Sequence, residues 1–86
     1  MSGNQPVPDS SLVVVGEECP MNWVLAKLEL ERLGDGQVLE VFVSPGIAEK
    51  NVPRSARDEG HEVLSVTHHG DRVRVLVRKK EARDGS

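Results

Sequence analysis

Leu12-Val13-Val14-Val15-Gly16-Glu17-Glu18-Cys19-Pro20-Met21-Asn22-Trp23 is the stretch that decides the fold. The apolar run Leu12 to Val15 has no polar alternation and reads as a short strand of the kind that lies centrally in a sheet. Gly16 ends it, and two glutamates lead to the start of a helix. Pro20 fits the first helical position, because its missing N–H is one that a helix start leaves unpaired. Cys19 is then expected at the N-cap, facing the free N–H groups of the opening turn, which favour the thiolate. Glu17 and Glu18 act the other way, since neighbouring negative charge raises a thiol pKa. Cys19 is therefore a candidate nucleophile. The competing reading is a small buried hydrophobe that fills space, although such a residue would more usually fall inside the valine run.

Outward from this stretch, the helix is expected from Pro20 to Leu33, with Gly34 just beyond its end. Trp23, Ala26, Leu30 and Leu33 share one face at spacings of three and four, whereas Met21, Val24, Leu25 and Leu28 form a second apolar face. A sheet covers only one of these, so Met21, Leu25 and Leu28 are candidate docking residues beside the thiol. After the Asp35-Gly36 turn, Gln37 to Val43 read as a strand with Leu39, Val41 and Val43 on one face and Val38, Glu40 and Phe42 on the other. Ser44-Pro45-Gly46 turns the chain again. The next segment, Ile47 to Glu59, has helical spacing that Pro53 interrupts, which predicts a loose turn through Asn51, a cap at Asn51 or Val52, and a short helix from Pro53 to Glu59. Strands from His61 to His68 and from Arg72 to Lys79 follow, joined by a tight turn. In the last strand Val73, Val75 and Val77 alternate with Arg72, Arg74, Leu76 and Arg78, so helices are expected on one face of the sheet and mostly solvent on the other.

The expected architecture is α+β: a two-layer α/β sandwich in the order strand-helix-strand-helix-strand-strand, with a mixed four-stranded sheet and both helices on one face. Residues 12–79 form the domain, between a flexible tail over 1–11 and a charged tail over 80–86. A chain of 86 residues buries only about 60% of its unfolded surface, so its core is small.

One cysteine forms no internal disulfide, and neither a secretory segment nor a membrane-spanning run is present, so a cytoplasmic setting is expected. The net charge of -3, with Trp23 and Phe42 as the aromatic residues, argues against a nucleic-acid surface. No metal site is expected. His68 and His69 are adjacent in a strand and point to opposite faces, and His61 lies near the other end, so the histidines read as surface or turn residues. No phosphate loop, paired-carboxylate spacing or CxxC is present, and no cofactor is expected. A Cys-His pair for acyl transfer would need a base and a pocket that the sequence does not supply. An exposed thiolate without a base can still attack a sulfane sulfur and pass it on, given a partner that completes the site. Lys50 and Arg54, near the start of the second helix, are candidate contacts for such a partner or solvated charges.

The succession Gly16, Cys19-Pro20, the helix to Leu33, Gly36, Leu39-Glu40-Val41, Ser44-Pro45, Asn51-Val52-Pro53 and Gly60-His61-Glu62-Val63-Leu64 resembles the TusA/SirA-like family of small sulfur-carrier proteins. The resemblance covers about residues 12–79. It implies the two-layer sandwich and a cysteine persulfide on Cys19, with Pro20 in the motif. The implied partners are a sulfur donor, a cysteine desulfurase or rhodanese-like protein, and an acceptor. Lys27 and the Gly60-His61 step also match family positions. The chain departs from the usual Cys-Pro-x-Pro in having Asn22 for the second proline, which restores a backbone N–H and makes Asn22 a candidate supporting residue at the helix start. The first strand lacks the arginine many members carry, and Leu25 and Leu28 replace frequent lysines. These changes point to a partner with an apolar contact surface. The alternative function is a non-catalytic regulatory or interaction domain that uses the apolar face of the first helix.

Overall fold

A computed structural model describes residues 7–18 and 21–80. Its elements are β1 (Ser10–Val13), α1 (Met21–Arg32), β2 (Val38–Val43), α2 (Ile47–Asp58), β3 (Glu62–His69) and β4 (Arg72–Arg78). The sheet order is β1-β2-β4-β3. β1 pairs with β2 in parallel, and β4 runs antiparallel to both β2 and β3. β3 is thus parallel to β2 but one place removed, and the β3–β4 hairpin folds its second strand into the gap.

The period-two pattern of β2 and β4 builds the core. Leu39, Val41 and Val43 stand opposite Val77, Val75 and Val73 in register. These six pack in one cluster with Val14, with Ala26 and Leu30 of α1, and with Val52 and Ala56 of α2. Both helices therefore cover the same face of the sheet, as the alternation predicts. Complete burial of each such valine or leucine is worth about 1.5–3 kcal/mol, which makes this cluster the main stabilising element.

The first strand differs from its sequence reading. β1 begins at Ser10, ends at Val13 and occupies a sheet edge. Its apolar run mimics a central strand because Val14, beyond the strand end, is buried in the core and donates its N–H to the Phe42 carbonyl at 2.8 Å. Val13 and Val15 on either side of it are exposed.

The second helix also differs. α2 is continuous from Ile47 to Asp58 with Pro53 inside it, and its N-cap is Gly46, not Asn51 or Val52. Gly46 has φ 101°, a conformation costly for any residue with a Cβ. Its N–H is accepted by Glu49 Oε1 at 2.8 Å, which fixes the helix start upstream of the proline. Pro53, in the middle of α2, then forgoes the bond its N–H would have made to the Glu49 carbonyl, and it is buried.

On the helix-free face, Leu76 is fully buried where solvent exposure was expected. β4 is an interior strand, and Leu76 lies between Glu40 of β2 and Ser65 of β3, beside a bulge at Val63/Ser65. Arg74 pairs with Glu40 on this face, and the Arg72 guanidinium lies 5.1 Å from the Phe42 ring centroid.

Candidate functional site

Cys19 and Pro20, and with them the expected N-cap geometry, lie outside the described residues. The residues on either side define the surroundings. Glu17 donates its N–H to the Val14 carbonyl at 3.1 Å, and Asn22 donates its N–H to the Glu18 carbonyl at 3.1 Å. Gly16, with φ 91°, donates its N–H to Ser44 Oγ at 2.9 Å, which ties the β1–α1 loop to the β2–α2 loop. Between these loops opens a cleft of about 370 Å³. Glu17, Glu18 and Asn22 wall one side, and Ser44, Pro45, Ile47 and Ala48 the other. The structure thus brings both flanks of Cys19 against the start of α2.

Asn22 is the feature the sequence reading undervalued. It is 1% exposed, and it heads the most buried line of α1, followed at intervals of four by Ala26 and Leu30. That spacing was the available signal: a polar residue at the top of a core stripe. Its Oδ1 accepts the Trp23 N–H at 2.6 Å. Its backbone N–H serves the Glu18 carbonyl, so the side chain engages the next residue's N–H and not its own.

The candidate docking residues separate. Met21 and Leu28 are 47% and 54% exposed, and with Val24 they form an apolar stripe on the outer side of α1. Leu25 turns inward and packs against the core cluster. Lys50 and Arg54 are exposed on α2. Lys27 lies 3.7 Å from Glu59, at the far end of α2.

The histidines sit apart from one another. His61 is half-buried, receives the Lys80 N–H on Nδ1 at 3.1 Å, and gives its own N–H to the Ala56 carbonyl at 2.9 Å. Gly60, at φ 94°, and His61 thereby close α2 at the end opposite the cleft. Burial, then the nearby Lys80 charge, lowers the His61 pKa. His68 Nε2 lies 2.9 Å from Glu49 Oε2. The Gly46 N–H, more than His68, holds the Glu49 carboxyl below its ordinary range against a smaller desolvation effect. Among the described residues no three His, Asp or Glu side chains gather as a metal site. No helix among them is long and apolar enough to cross a membrane.

A family model for the sulfurtransferase TusA matches residues 12–79. The chain belongs to this family. It is 41% identical over 70 residues, 80% of each chain, to an Archaeoglobus fulgidus protein described as a candidate sulfur carrier. It is 36% identical over 73 residues to Escherichia coli YedF, also described as a candidate sulfur carrier, covering 85% of this chain and 95% of YedF. The crystal structure of a SirA-like protein from Desulfitobacterium hafniense superposes with a TM-score of 0.72 at 25% identity, covering 84% of this chain and 99% of the other. The family and its α+β fold thus agree with the resemblance read from the motifs.

Proposed function

We propose that the chain is a sulfur carrier that accepts sulfane sulfur as a persulfide on Cys19 and passes it to an acceptor protein. The observation that carries this reading is the cleft between the two loops, walled by the residues that flank the sole cysteine of a TusA-family chain. In uptake, the Cys19 thiolate attacks the outer sulfur of a donor persulfide. A new S–S bond forms to Cys19, the donor's S–S bond breaks, and the donor leaves as a thiolate, so sulfur moves without net oxidation. In delivery, an acceptor nucleophile takes that outer sulfur and Cys19 leaves as the thiolate.

The step needs no cofactor and no general base on this chain, only an accessible thiolate and a partner that presents the other sulfur. A cysteine desulfurase or a rhodanese-like protein supplies donor chemistry of this kind, and a reducing cytoplasm keeps the thiol free between cycles. Pro20 and Asn22 support the helix start. Met21 and Leu28 form the apolar contact for the partner, and Lys50 and Arg54, exposed on α2, offer charge to it.

The exposed stripe on α1 favours one second reading, an interaction domain of the same fold that does not carry sulfur. Transfer from a labelled donor to an acceptor separates the two. For a carrier, Cys19→Ser abolishes passage of label while association with the donor persists. Passage that is indifferent to Cys19 rules the carrier out.

A further inference from the structure

The cleft between the β1–α1 and β2–α2 loops joins two walls of different chemistry. Pro45, Ile47 and Ala48 make one wall apolar, and Ile47 is 72% exposed, which leaves a large apolar side chain in solvent at the start of α2. Glu17 and Glu18 line the other wall and are exposed. Neither forms an ion pair among the described residues. The walls are held in place before anything binds. The Gly16 N–H is accepted by Ser44 Oγ at 2.9 Å across the loops, and Glu49, which accepts the Gly46 N–H at 2.8 Å, is braced from β3 by His68 Nε2 at 2.9 Å. A preformed cleft of about 370 Å³ spares an occupant the cost of ordering its walls. Two carboxylates alone would hold a cation weakly in water, since exposed ion pairs gain little. The apolar wall opposite changes the balance, because a lysine or arginine side chain lays its methylene stem on such a surface while its charged head stays at the wet rim. Among the described residues no third carboxylate or histidine joins the pair, so a bare metal ion finds too few ligands.

We propose that this cleft receives a basic side chain, lysine or arginine, from a partner protein, with the stem on Pro45, Ile47 and Ala48 and the cationic head against Glu17 and Glu18. The occupant is a protein and not a free amine because the cleft adjoins the exposed apolar stripe of α1. Asn22 in its wall follows directly on Met21, which with Val24 and Leu28 stands in solvent. A partner seated on that stripe has its own chain beside the cleft, whereas a free amine gains nothing from the stripe. That the partner is a sulfur donor or acceptor rests on the carrier reading; the preference of the cleft for a cation does not.

The probe is a capped tripeptide of leucine, arginine and leucine, titrated into the full chain and followed by amide chemical shifts. The same peptide with citrulline, the neutral isostere of arginine, is the control. The expected result is saturable shifts centred on Glu17, Glu18 and Ala48, with the citrulline peptide bound about fivefold more weakly at low salt and the difference shrinking as salt is raised. Glu17→Gln combined with Glu18→Gln should bring the arginine peptide down to the citrulline value, and Ile47→Ser should weaken both peptides. These positions are exposed, and the thermal midpoint with Trp23 fluorescence verifies that the variants fold. Absent binding, equal affinity for the two peptides, or an arginine preference that survives the paired glutamine substitutions overturns the proposal. So does butylammonium bound there as tightly as the peptide, which assigns the cleft to a free amine. Sulfur uptake from inorganic polysulfide is read separately: a chain that never loads sinks the carrier reading, while the peptide titration still decides the cleft.

Discussion

Glu40, on the helix-free face of β2, shows how single residues balance in this small domain. Burial alone would raise its carboxyl, but hydrogen bonds from Arg74 and Ser11, together with the guanidinium charge, outweigh it and hold the pKa below the ordinary value. Removing the carboxylate in Glu40→Ala is expected to cost about 1–3 kcal/mol of unfolding free energy in urea titration, because it strips a charge-assisted bond from a half-buried site. An unchanged midpoint would show that the pair is only a solvated contact. The opposite sign is expected at Ser65, whose hydroxyl is buried at the bulge with no hydrogen-bond partner among the described residues. Ser65→Ala should leave stability unchanged or raise it by up to about 1 kcal/mol, and a loss would contradict the account. The sequence singles out Cys19 with Pro20 by chemical signature alone, and both lie outside the described residues. Asn22 was visible only as a departure from a motif, because its importance comes from burial, and burial became readable only once Ala26 and Leu30 had fixed which line of α1 faces the sheet.

At the scale of elements, the strand faces were legible and the element ends were not. Leu39/Val41/Val43 and Val73/Val75/Val77 announced the core by strict alternation, and the core uses them. α2 was misjudged at Pro53 because a proline is read as a break. The sequence carried the counter-signal in Gly46 and Glu49, a glycine followed three residues later by a carboxylate that starts the helix early. Gly46→Ala should therefore destabilise by about 1–2 kcal/mol in thermal or urea unfolding, since a Cβ at φ 101° is strained although nothing lies within 4 Å of it. No loss would mean that the loop relaxes to another conformation. The apolar face of α1 was legible in outline, but Leu25 and Leu28 play different parts. Met21→Glu with Leu28→Glu should fold normally and transfer sulfur more slowly from a protein donor, while reaction with a small polysulfide is little changed. Equal rates with the protein donor would remove the α1 stripe from the docking surface. Leu25→Glu is a poorer probe, because it places a charge against the core.

Across the whole molecule, the resolved titrations all act in one direction. His61, Glu40 and Glu49 have pKa values lowered by folding. The unfolded chain then binds more protons, so stability is fully present above the unfolded values and is lost as pH falls through the folded ones. The His61 contribution should fade below its unfolded value of 6.5, and the carboxylate contributions below 4.5. Thermal midpoints across this range should decline on acidification; a midpoint that rises would contradict the assignment. The same sandwich gathers the loop ends after β1 and β2 at one edge, where a cleft opens between Glu17, Glu18 and Asn22 and the start of α2. The central claim, sulfur carriage on Cys19, is tested most directly by intact-protein mass spectrometry. The protein is incubated with a cysteine desulfurase and cysteine, with a rhodanese and thiosulfate, or with inorganic polysulfide, and Cys19→Ser is the control. The account predicts a gain of about 32 Da that thiol reductant removes and that the serine variant lacks. A chain that gains no mass under any of the three conditions, or gains it equally with serine at position 19, contradicts it.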